Sequence, residues 1–256
     1  MQKLLFSILI ALALTACQKD PIEPGPEPQS APNKGKLIIE VELKAGTEPL
    51  IFDTKDYVNA NLDSFKITLV KYYLSNLLLT KSDNSTYYLS NEYYLIDHKA
   101  GSNKITLYSI PEASYKGISF FIGVDSLRNV SGAQDGALAA SNGMFWDWNS
   151  GYIFAKMEGS SPKSTAANKL LRFHIGGFSG INKAIQTVTI PFTSSTADVT
   201  ASVTPVVKLS VDILKWFTGN NNTNFATTNV IHMPGADAVN MSANYTAMFT
   251  FESIAN

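Results

Sequence analysis

Residues 143–158 read GMFWDWNSGYIFAKME, and this stretch decides the fold of the chain. Two of the three tryptophans, Trp146 and Trp148, lie two positions apart between glycines, and an alternating strand follows them. An indole ring is costly to expose, and its N–H needs an acceptor when the ring is buried. In an extended segment both rings face the same side. The pair therefore marks a core position, a ligand platform or a site of oxidation.

Short strands with frequent turn signals extend from this stretch in both directions. Phe65, Ile67 and Leu69 alternate with polar residues, which predicts that they share one face of a strand. Residues 212–217 and 237–249 have helical spacing and lie near the C-terminus. The pattern predicts an all-β fold, an immunoglobulin-like, two-layer antiparallel β-sandwich with one or two short C-terminal helices.

The N-terminus predicts the compartment. An apolar run is followed by Leu-Thr-Ala-Cys17, and this cysteine is the only one in the chain. The pattern is typical of a bacterial lipobox, with a signal peptide over 1–16, a lipidated proline-rich tether over 17–35 and a domain over 36–256. Lipidation at Cys17 would anchor the protein to a membrane, and we expect an outer-membrane lipoprotein of the cell envelope. The alternative is an ordinary secretory signal with an incidental cysteine.

Composition excludes several classes of function. The formal net charge is −1 and only two arginines are present, so no basic surface for nucleic acid is expected. The domain contains no cysteine nucleophile, no HExxH, no GxSxG and no phosphate-binding glycine loop. We therefore expect no enzymatic activity, with a hydrolase that uses Asp147 and Glu158 as the remaining enzymatic alternative.

His174 is the best placed of the three histidines. It lies in the strand LRFHIGG, where period-two alternation puts Arg172, His174 and Gly176 on one face. Phe173 and Ile175 take the other face. The adjacent glycines indicate a bulge or a close approach of another backbone.

Copper is the metal that the available donors favour. His232 is followed directly by Met233, and Met157 supplies a second thioether close to the tryptophan pair. Imidazole together with thioether suits copper, particularly Cu(I), better than a hard cation. The alternative is that His174 and His232 are ordinary histidines with hydrogen-bond partners. His98 is predicted to lie in a solvated turn.

Carboxylates and tyrosines leave two further alternatives open. Residues 125–142 form a predicted loop rich in glycine, alanine and serine. Four carboxylates flank this loop and the tryptophan pair and together would suit calcium: Asp125, Asp135, Asp147 and Glu158. Three tyrosine doublets are predicted to place one ring inward and one outward, at 72–73, 87–88 and 93–94. Outward rings would form a platform for a glycan or a protein, or cross-strand surface pairs.

Four segments, in this order, carry a resemblance to a known family: YYLSNLLL at 72–79, FIGVD at 121–125, GMFWDWNSGY at 143–152 with MEG at 157–159, and FHIG at 173–176. They resemble the MbnP-like copper-binding domain, a family named for the periplasmic partner of methanobactin. The resemblance implies a secreted or surface β-sandwich. It also implies a copper site made of histidines and a kynurenine, which is formed by oxidation of a tryptophan with a di-haem peroxidase-like partner.

The family pattern carries over to a few positions. His174 matches the histidine of the Phe-His-x-Gly segment, Trp146 and Trp148 match the paired tryptophans, and His232 corresponds by position alone. The chain departs from the pattern in its first strand, 36–44, which contains no histidine. We therefore expect a non-enzymatic, lipid-anchored extracytoplasmic protein that binds copper, or alternatively a surface module that binds a glycan or a protein without a metal.

Overall fold

A computed structural model gives the architecture of the chain and describes residues 33–147, 150–219 and 221–256. The predicted signal peptide, the predicted lipidation site Cys17 and the predicted tether up to residue 32 lie outside the described residues. Trp148 and the side chain of Asp147 also lie outside them. The described residues form one compact unit.

Strands make up most of this unit. They are β1 Lys34–Ala45, β2 Glu48–Pro49, β3 Tyr57–Val58, β4 Ser64–Lys81, β5 Thr86–Asp97, β6 Lys104–Pro111, β7 Ala113–Ile122, β8 Phe145–Asp147, β9 Gly151–Tyr152, β10 Ala155–Ser160, β11 Leu170–Ile175, β12 Gln186–Pro191, β13 Ala197–Val199, β14 Val206–Asp212, β15 Val230–Ile231 and β16 Phe249–Ala255. The α-helices are α1 Ser126–Asn129 and α2 Ala236–Tyr245. Short 3-10 turns include Gly136–Leu138, Ala140–Asn142, Gly180–Asn182, Ile213–Phe217 and Thr246–Met248. None of the described helices is long and apolar enough to cross a membrane.

The strands form two main sheets. The smaller sheet has the order β16-β14-β1-β2, with β6 also paired to β1. The larger sheet has the order β12-β7-β4-β10-β11-β15, with β3 and β5 on β4 and β13 on β7, while β8 and β9 form a separate ribbon. The predicted all-β sandwich is confirmed. Its pairing is mostly antiparallel, but β1 with β14 and β11 with β15 pair in parallel.

Aromatic side chains join the layers at the core. Tyr72 and Phe120 of the larger sheet both make edge contacts with Phe249 of the smaller sheet, at centroid distances of 5.8 and 5.0 Å. Trp216 is fully buried, and its Nε1–H donates to Met248 Sδ at 3.0 Å. The third tryptophan is therefore a core residue whose polar atom is satisfied within the core.

The two predicted helices are shorter than expected. Residues 213–217 form a single 3-10 turn, which Asp212 caps by accepting from the backbone N–H of Leu214 at 3.1 Å. The second helix, α2, ends at Tyr245, and Phe249 already belongs to β16. The helix ends before Phe249 because this residue belongs to β16 and packs against Tyr72 and Phe120 in the core between the sheets.

The predicted face of Leu69 is wrong. Phe65 and Ile67 are fully buried, as expected, but the buried position that follows them is Val70, and Leu69 is only half-buried. The register between β4 and β10 shifts at this point, so that Thr68 is an extra residue in β4. Such a bulge reverses the alternation of the side chains that follow it, from Val70 to Leu74, until a second register shift after Ser75 restores it.

Candidate functional site

A row of polar side chains crosses the outer face of the larger sheet. Lys71 of β4 lies opposite Lys156 of β10, and Lys156 lies opposite His174 of β11. On its other side Lys71 pairs with Asp97 of β5, with 2.8 Å between Nζ and Oδ2. The row therefore places an imidazole at the end of a line of half-buried charges.

The alternation predicted for β11 is confirmed. Leu171, Phe173 and Ile175 are fully buried between the sheets. Arg172 is exposed, and the His174 side chain retains 13% of its exposure on the outer face. The apolar residues of a half-buried strand all face the core, so the histidine between them must face outward.

His174 is bonded to a carboxylate of the neighbouring strand. Its Nε2 lies 2.7 Å from Oε1 of Glu158, and Lys156 Nζ lies 3.7 Å from the same oxygen. Burial lowers the pKa of His174 below its ordinary value, even though the bond with Glu158 opposes this shift. Burial would raise the pKa of Glu158, but the bond from His174 and the charge of Lys156 outweigh it and lower that pKa. At neutral pH a neutral imidazole therefore faces an ionised carboxylate.

The tryptophan segment, residues 143–152, contacts this part of the sheet through Gly143 and Trp146. Lys156 Nζ donates to the carbonyl of Gly143, at the start of the segment, at 3.1 Å. A methyl group added at Gly176 would stand 2.7 Å from Cζ3 of Trp146, 3.0 Å from its Cη2 and 2.6 Å from the carbonyl oxygen of Tyr152. The indole of Trp146 thus lies directly on the backbone at Gly176, the residue that follows β11 and is two positions beyond His174. Gly176 is the close approach that its sequence context predicted.

A second aromatic layer lies beneath the segment. Tyr73 packs edge-on against Tyr152, with 6.0 Å between centroids, and Phe145 lies 4.8 Å from the same ring. Tyr73 faces outward from β4 yet is fully buried, and its hydroxyl donates to the carbonyl of Ala137 at 2.9 Å. The first doublet thus has one ring on each face of the sheet, but the outer ring is not available as a platform because the 125–142 loop covers it.

Asn129 fixes this loop to the tryptophan segment. Its Nδ2 donates to the carbonyls of Val124 and Asp125 at 2.7 and 2.9 Å, and its Oδ1 accepts from the N–H of Tyr152 at 2.8 Å. Gly151 has φ +73°, and a methyl group there would overlap the amide of Asn129. The side chain is fully buried, so these bonds make it a rigid link.

His232 reaches the same edge of the sheet. Ile231 of β15 pairs in parallel with Phe173, and His232 is the next residue along the chain. Register therefore places it level with His174. Since Ile231 is buried and His232 exposed, both histidines belong to the outer face.

The two methionines have different positions. Met233 follows His232 and is 53% exposed, so its thioether is accessible from solvent. Met157 is fully buried, and its neighbours on β4 and β11 are the core residues Val70 and Phe173. Met157 thus lies on the opposite face of the sheet from His174 and does not reach a site there. Period-two alternation with Lys156 could have shown this.

Asp125 and Glu158, two of the carboxylates predicted for calcium, have separate partners in the described part of the chain. Asp125 caps α1 and accepts from the Tyr93 hydroxyl and, at 3.3 Å, from Asn76 Nδ2. Glu158 is bonded to His174, and the side chain of Asp147 lies outside the described part. Within the described part of the chain, no group of three or more His, Cys, Asp or Glu side chains is close enough to enclose a metal ion.

His98 does not lie in a solvated turn as predicted. It is half-buried, and its Nε2 lies 2.8 Å from the hydroxyl oxygen of Tyr72. Burial lowers the pKa of His98 to about 4. The turn folds back on β4, where the N–H of His98 donates to the carbonyl of Val70 at 3.2 Å. No local pattern signals this contact, because it depends on how β4 and β5 pair.

A groove of about 450 Å³ opens beside the polar row. Tyr93, Tyr94 and Asp97 of β5 line one side of it, and Ala137 and Asn142 of the loop line the other. Both tyrosines are half-buried. This is the described feature that best fits the predicted aromatic platform.

The chain thus forms a two-layer β-sandwich in which His174 faces outward from the larger sheet and Trp146 packs at Gly176, just beyond the strand that carries His174. The family model for MbnP matches residues 34–234, and the chain belongs to the MbnP family. The structure of MbnP from Methylosinus trichosporium superposes with a TM-score of 0.55 at 14% identity, over 81% of this chain and 87% of that one. At this identity the superposition shows the shared fold alone. A search of curated protein sequences found no significant match.

Proposed function

We propose that this chain is a non-enzymatic extracytoplasmic protein that binds copper through His174. One observation carries the proposal: the indole of Trp146 lies against Gly176, which is two residues along the chain from His174. Membership of the MbnP family supports it, since the resemblance implies a copper site in which histidines lie beside a modified tryptophan.

The donors at this edge suit a soft or borderline metal. His174 is neutral near pH 7 because of burial, and a neutral imidazole is the form that binds a metal. His232 is the second proposed ligand, and Met233 is an accessible soft donor beside it. Bound copper would supply a soft, redox-active cation. The chain contributes the two imidazoles, one on β11 and one on the residue that directly follows β15.

Trp146 is the proposed site of oxidation to kynurenine. It is half-buried rather than sealed in the core, and it touches the strand that carries His174. A di-haem peroxidase-like partner is the proposed catalyst, with a peroxide as the oxidant. Two oxygen atoms enter as the C2–C3 bond of the indole breaks, and hydrolysis then releases C2 as formate and leaves kynurenine. The modification would convert an indole, which has only a donor N–H, into a group with a carbonyl and an amine beside the histidines. Peptide mass mapping of protein from its native host tests this, and an unmodified Trp146 in copper-loaded protein would refute it.

A lipid on Cys17 is proposed to hold the protein at the outer membrane. Several acyl chains at about 0.8 kcal/mol for each buried methylene give a stable anchor. Intact mass of the native protein tests lipidation. Membrane fractionation of a Cys17→Ala variant tests the anchor, and a variant that still sediments with the membrane would refute it.

Copper titration with matched variants tests the metal site. We expect one Cu(I) per chain in the wild type, with affinity strongly reduced in His174→Ala and His232→Ala. Met233→Leu reports on the thioether. Met157→Leu is the control, because this volume-conserving change lies in the core and should leave copper binding unchanged. Stoichiometric binding that survives His174→Ala would sink the proposal.

The groove beside Tyr93 and Tyr94 favours a second function, a surface module that binds a glycan or a protein segment without a metal. Half-buried tyrosines beside the Lys71–Asp97 ion pair offer stacking and hydrogen bonding together. A glycan array, repeated with Tyr94→Ala, tests this function. An array without hits, together with copper binding at His174, would decide for the first function.

A further inference from the structure

We infer that Glu158 is the positioning residue for His174: it holds the proton on Nε2 and leaves Nδ1 as the nitrogen that binds the metal. The inference rests on the proposed copper function, which it deepens. It adds the contact between Glu158 of β10 and His174 of β11, because naming the ligand residues does not say which nitrogen of His174 binds the metal.

The contact between the two side chains is short and partly shielded. Oε1 of Glu158 lies 2.7 Å from Nε2 of His174, and the side chains retain 31% and 13% of their exposure. Directly opposite His174 on β10 is Lys156, so Glu158 reaches the imidazole along the diagonal of the strand pair. Among the residues the structure describes, none forms a hydrogen bond with Nδ1 of His174.

The chemistry of the pair fixes which nitrogen carries the proton. An ionised carboxylate can only accept a hydrogen bond, and a neutral imidazole has one N–H and one lone pair. With Nε2 donating to Glu158, the lone pair must be on Nδ1. A metal at Nδ1 leaves the bond to Glu158 intact, whereas a metal at Nε2 must break it. Ligand histidines commonly use such a carboxylate to fix the ring and to strengthen the nitrogen that binds the metal.

Glu158 is itself held in place. Lys156 Nζ lies 3.7 Å from Oε1 of Glu158 and donates at 3.1 Å to the carbonyl of Gly143. The lysine thus joins the start of the tryptophan segment to the carboxylate that orients His174.

The first test uses the metal-free protein. Long-range ¹H–¹⁵N NMR of the full chain, labelled at histidine and kept in detergent, reports which ring nitrogen of His174 carries the proton. In the wild type we expect Nε2 to be protonated, Nδ1 to be unprotonated, and the Nε2 proton to be shifted downfield by its bond to Glu158. Glu158→Leu should abolish that downfield proton. Glu158→Gln, nearly isosteric and still able to accept, should retain protonated Nε2. A wild-type ring protonated at Nδ1 would overturn the inference.

Cu(I), which is diamagnetic, then identifies the nitrogen that binds. We expect the coordination shift at Nδ1 in the wild type and an affinity about 10- to 100-fold lower in Glu158→Leu, with a smaller loss in Glu158→Gln. Glu48→Leu, an exposed glutamate on the other sheet, is the control and should bind as the wild type does. A shift at Nε2, or unchanged affinity in Glu158→Leu, would overturn the inference.

The two ideas fail in different ways. If the wild type binds no Cu(I), the proposed function is wrong, while the protonation of the metal-free ring still decides the role of Glu158. If copper binds at Nε2, the copper function stands and the positioning role falls. Circular dichroism of each variant separates both results from a loss of folding, and Glu158→Gln keeps the test valid if Glu158→Leu does not fold.

Discussion

Gly176→Ala is the change that most directly probes how the tryptophan segment sits on the larger sheet. The added methyl would stand 2.6 Å from the Tyr152 carbonyl oxygen and 2.7 Å from Cζ3 of Trp146, where ordinary contacts need about 3.4 Å or more. Trp146 must therefore move by several tenths of an ångström. The backbone oxygen of Tyr152 has less freedom to move, because Asn129 holds the N–H of that residue.

We expect a loss of about 2 kcal/mol, within the range of about 1–3 kcal/mol for an extra methyl in a packed site. For a domain of this size that corresponds to a fall in Tm of about 4–8 °C. Differential scanning calorimetry measures it. Because Trp146 moves relative to His174, copper affinity should fall as well. Gly235→Ala is the control, since a methyl there meets nothing within 4 Å and its φ of 171° is extended backbone.

A double-mutant cycle identifies the side chain responsible. Trp146→Leu removes Cζ3 and Cη2, so in its presence Gly176→Ala should cost about 1 kcal/mol less than in the wild type. The remaining cost comes from the Tyr152 carbonyl oxygen. Strictly additive effects, or a Gly176→Ala variant as stable as Gly235→Ala, would show that Trp146 does not rest on Gly176 and would refute the reasoning.

Three further predictions concern the contacts around the site. Asn129→Ala removes three buried bonds to backbone groups and should destabilise the protein by about 3 kcal/mol, measured by urea denaturation; a loss under 1 kcal/mol would contradict this. The pKa of His98 is lowered by burial from 6.5 to about 4, so the unfolded chain takes up the proton first as pH falls. Stability is complete above about pH 6.5 and should decline by about 3 kcal/mol toward pH 4, a decline that His98→Gln, which can still bond to Tyr72, should reduce. Lys156→Met breaks the bond to the Gly143 carbonyl and should cost about 1 kcal/mol and shift tryptophan fluorescence to the red; an unchanged spectrum would contradict this.

Local pattern was sufficient for the strands that follow it without interruption. In β11, hydrophobic residues at every second position fix the core face, and so Phe173 is buried and His174 faces outward, as predicted. In β4 the same reasoning fails after Ile67, because Thr68 is bulged and Leu69 loses its place in the core. The bulge is a property of the pairing with β10, and nothing in the β4 sequence alone requires it.

The candidate site was predictable only in part. The sequence singles out His174, Trp146 and Glu158 for separate reasons, but their relation to one another depends on register. A one-residue shift between β10 and β11 would move Glu158 to the other face and leave His174 without its partner. Met157 shows the converse, because its position beside Lys156 already implied that it faces the core.

The sequence by itself determined that this chain forms a β-sandwich and that His174 faces away from the core, because both properties follow from period-two alternation. It also singled out the tryptophan segment as a core or functional position, because an exposed indole is costly. The tertiary structure alone decided that Tyr73 is covered, that the half-buried His98 bonds to Tyr72, and that Trp146 rests on Gly176. These three contacts join residues distant in the chain. Their geometry follows from strand register and from the path of the 125–142 loop, which the packing of the whole domain fixes.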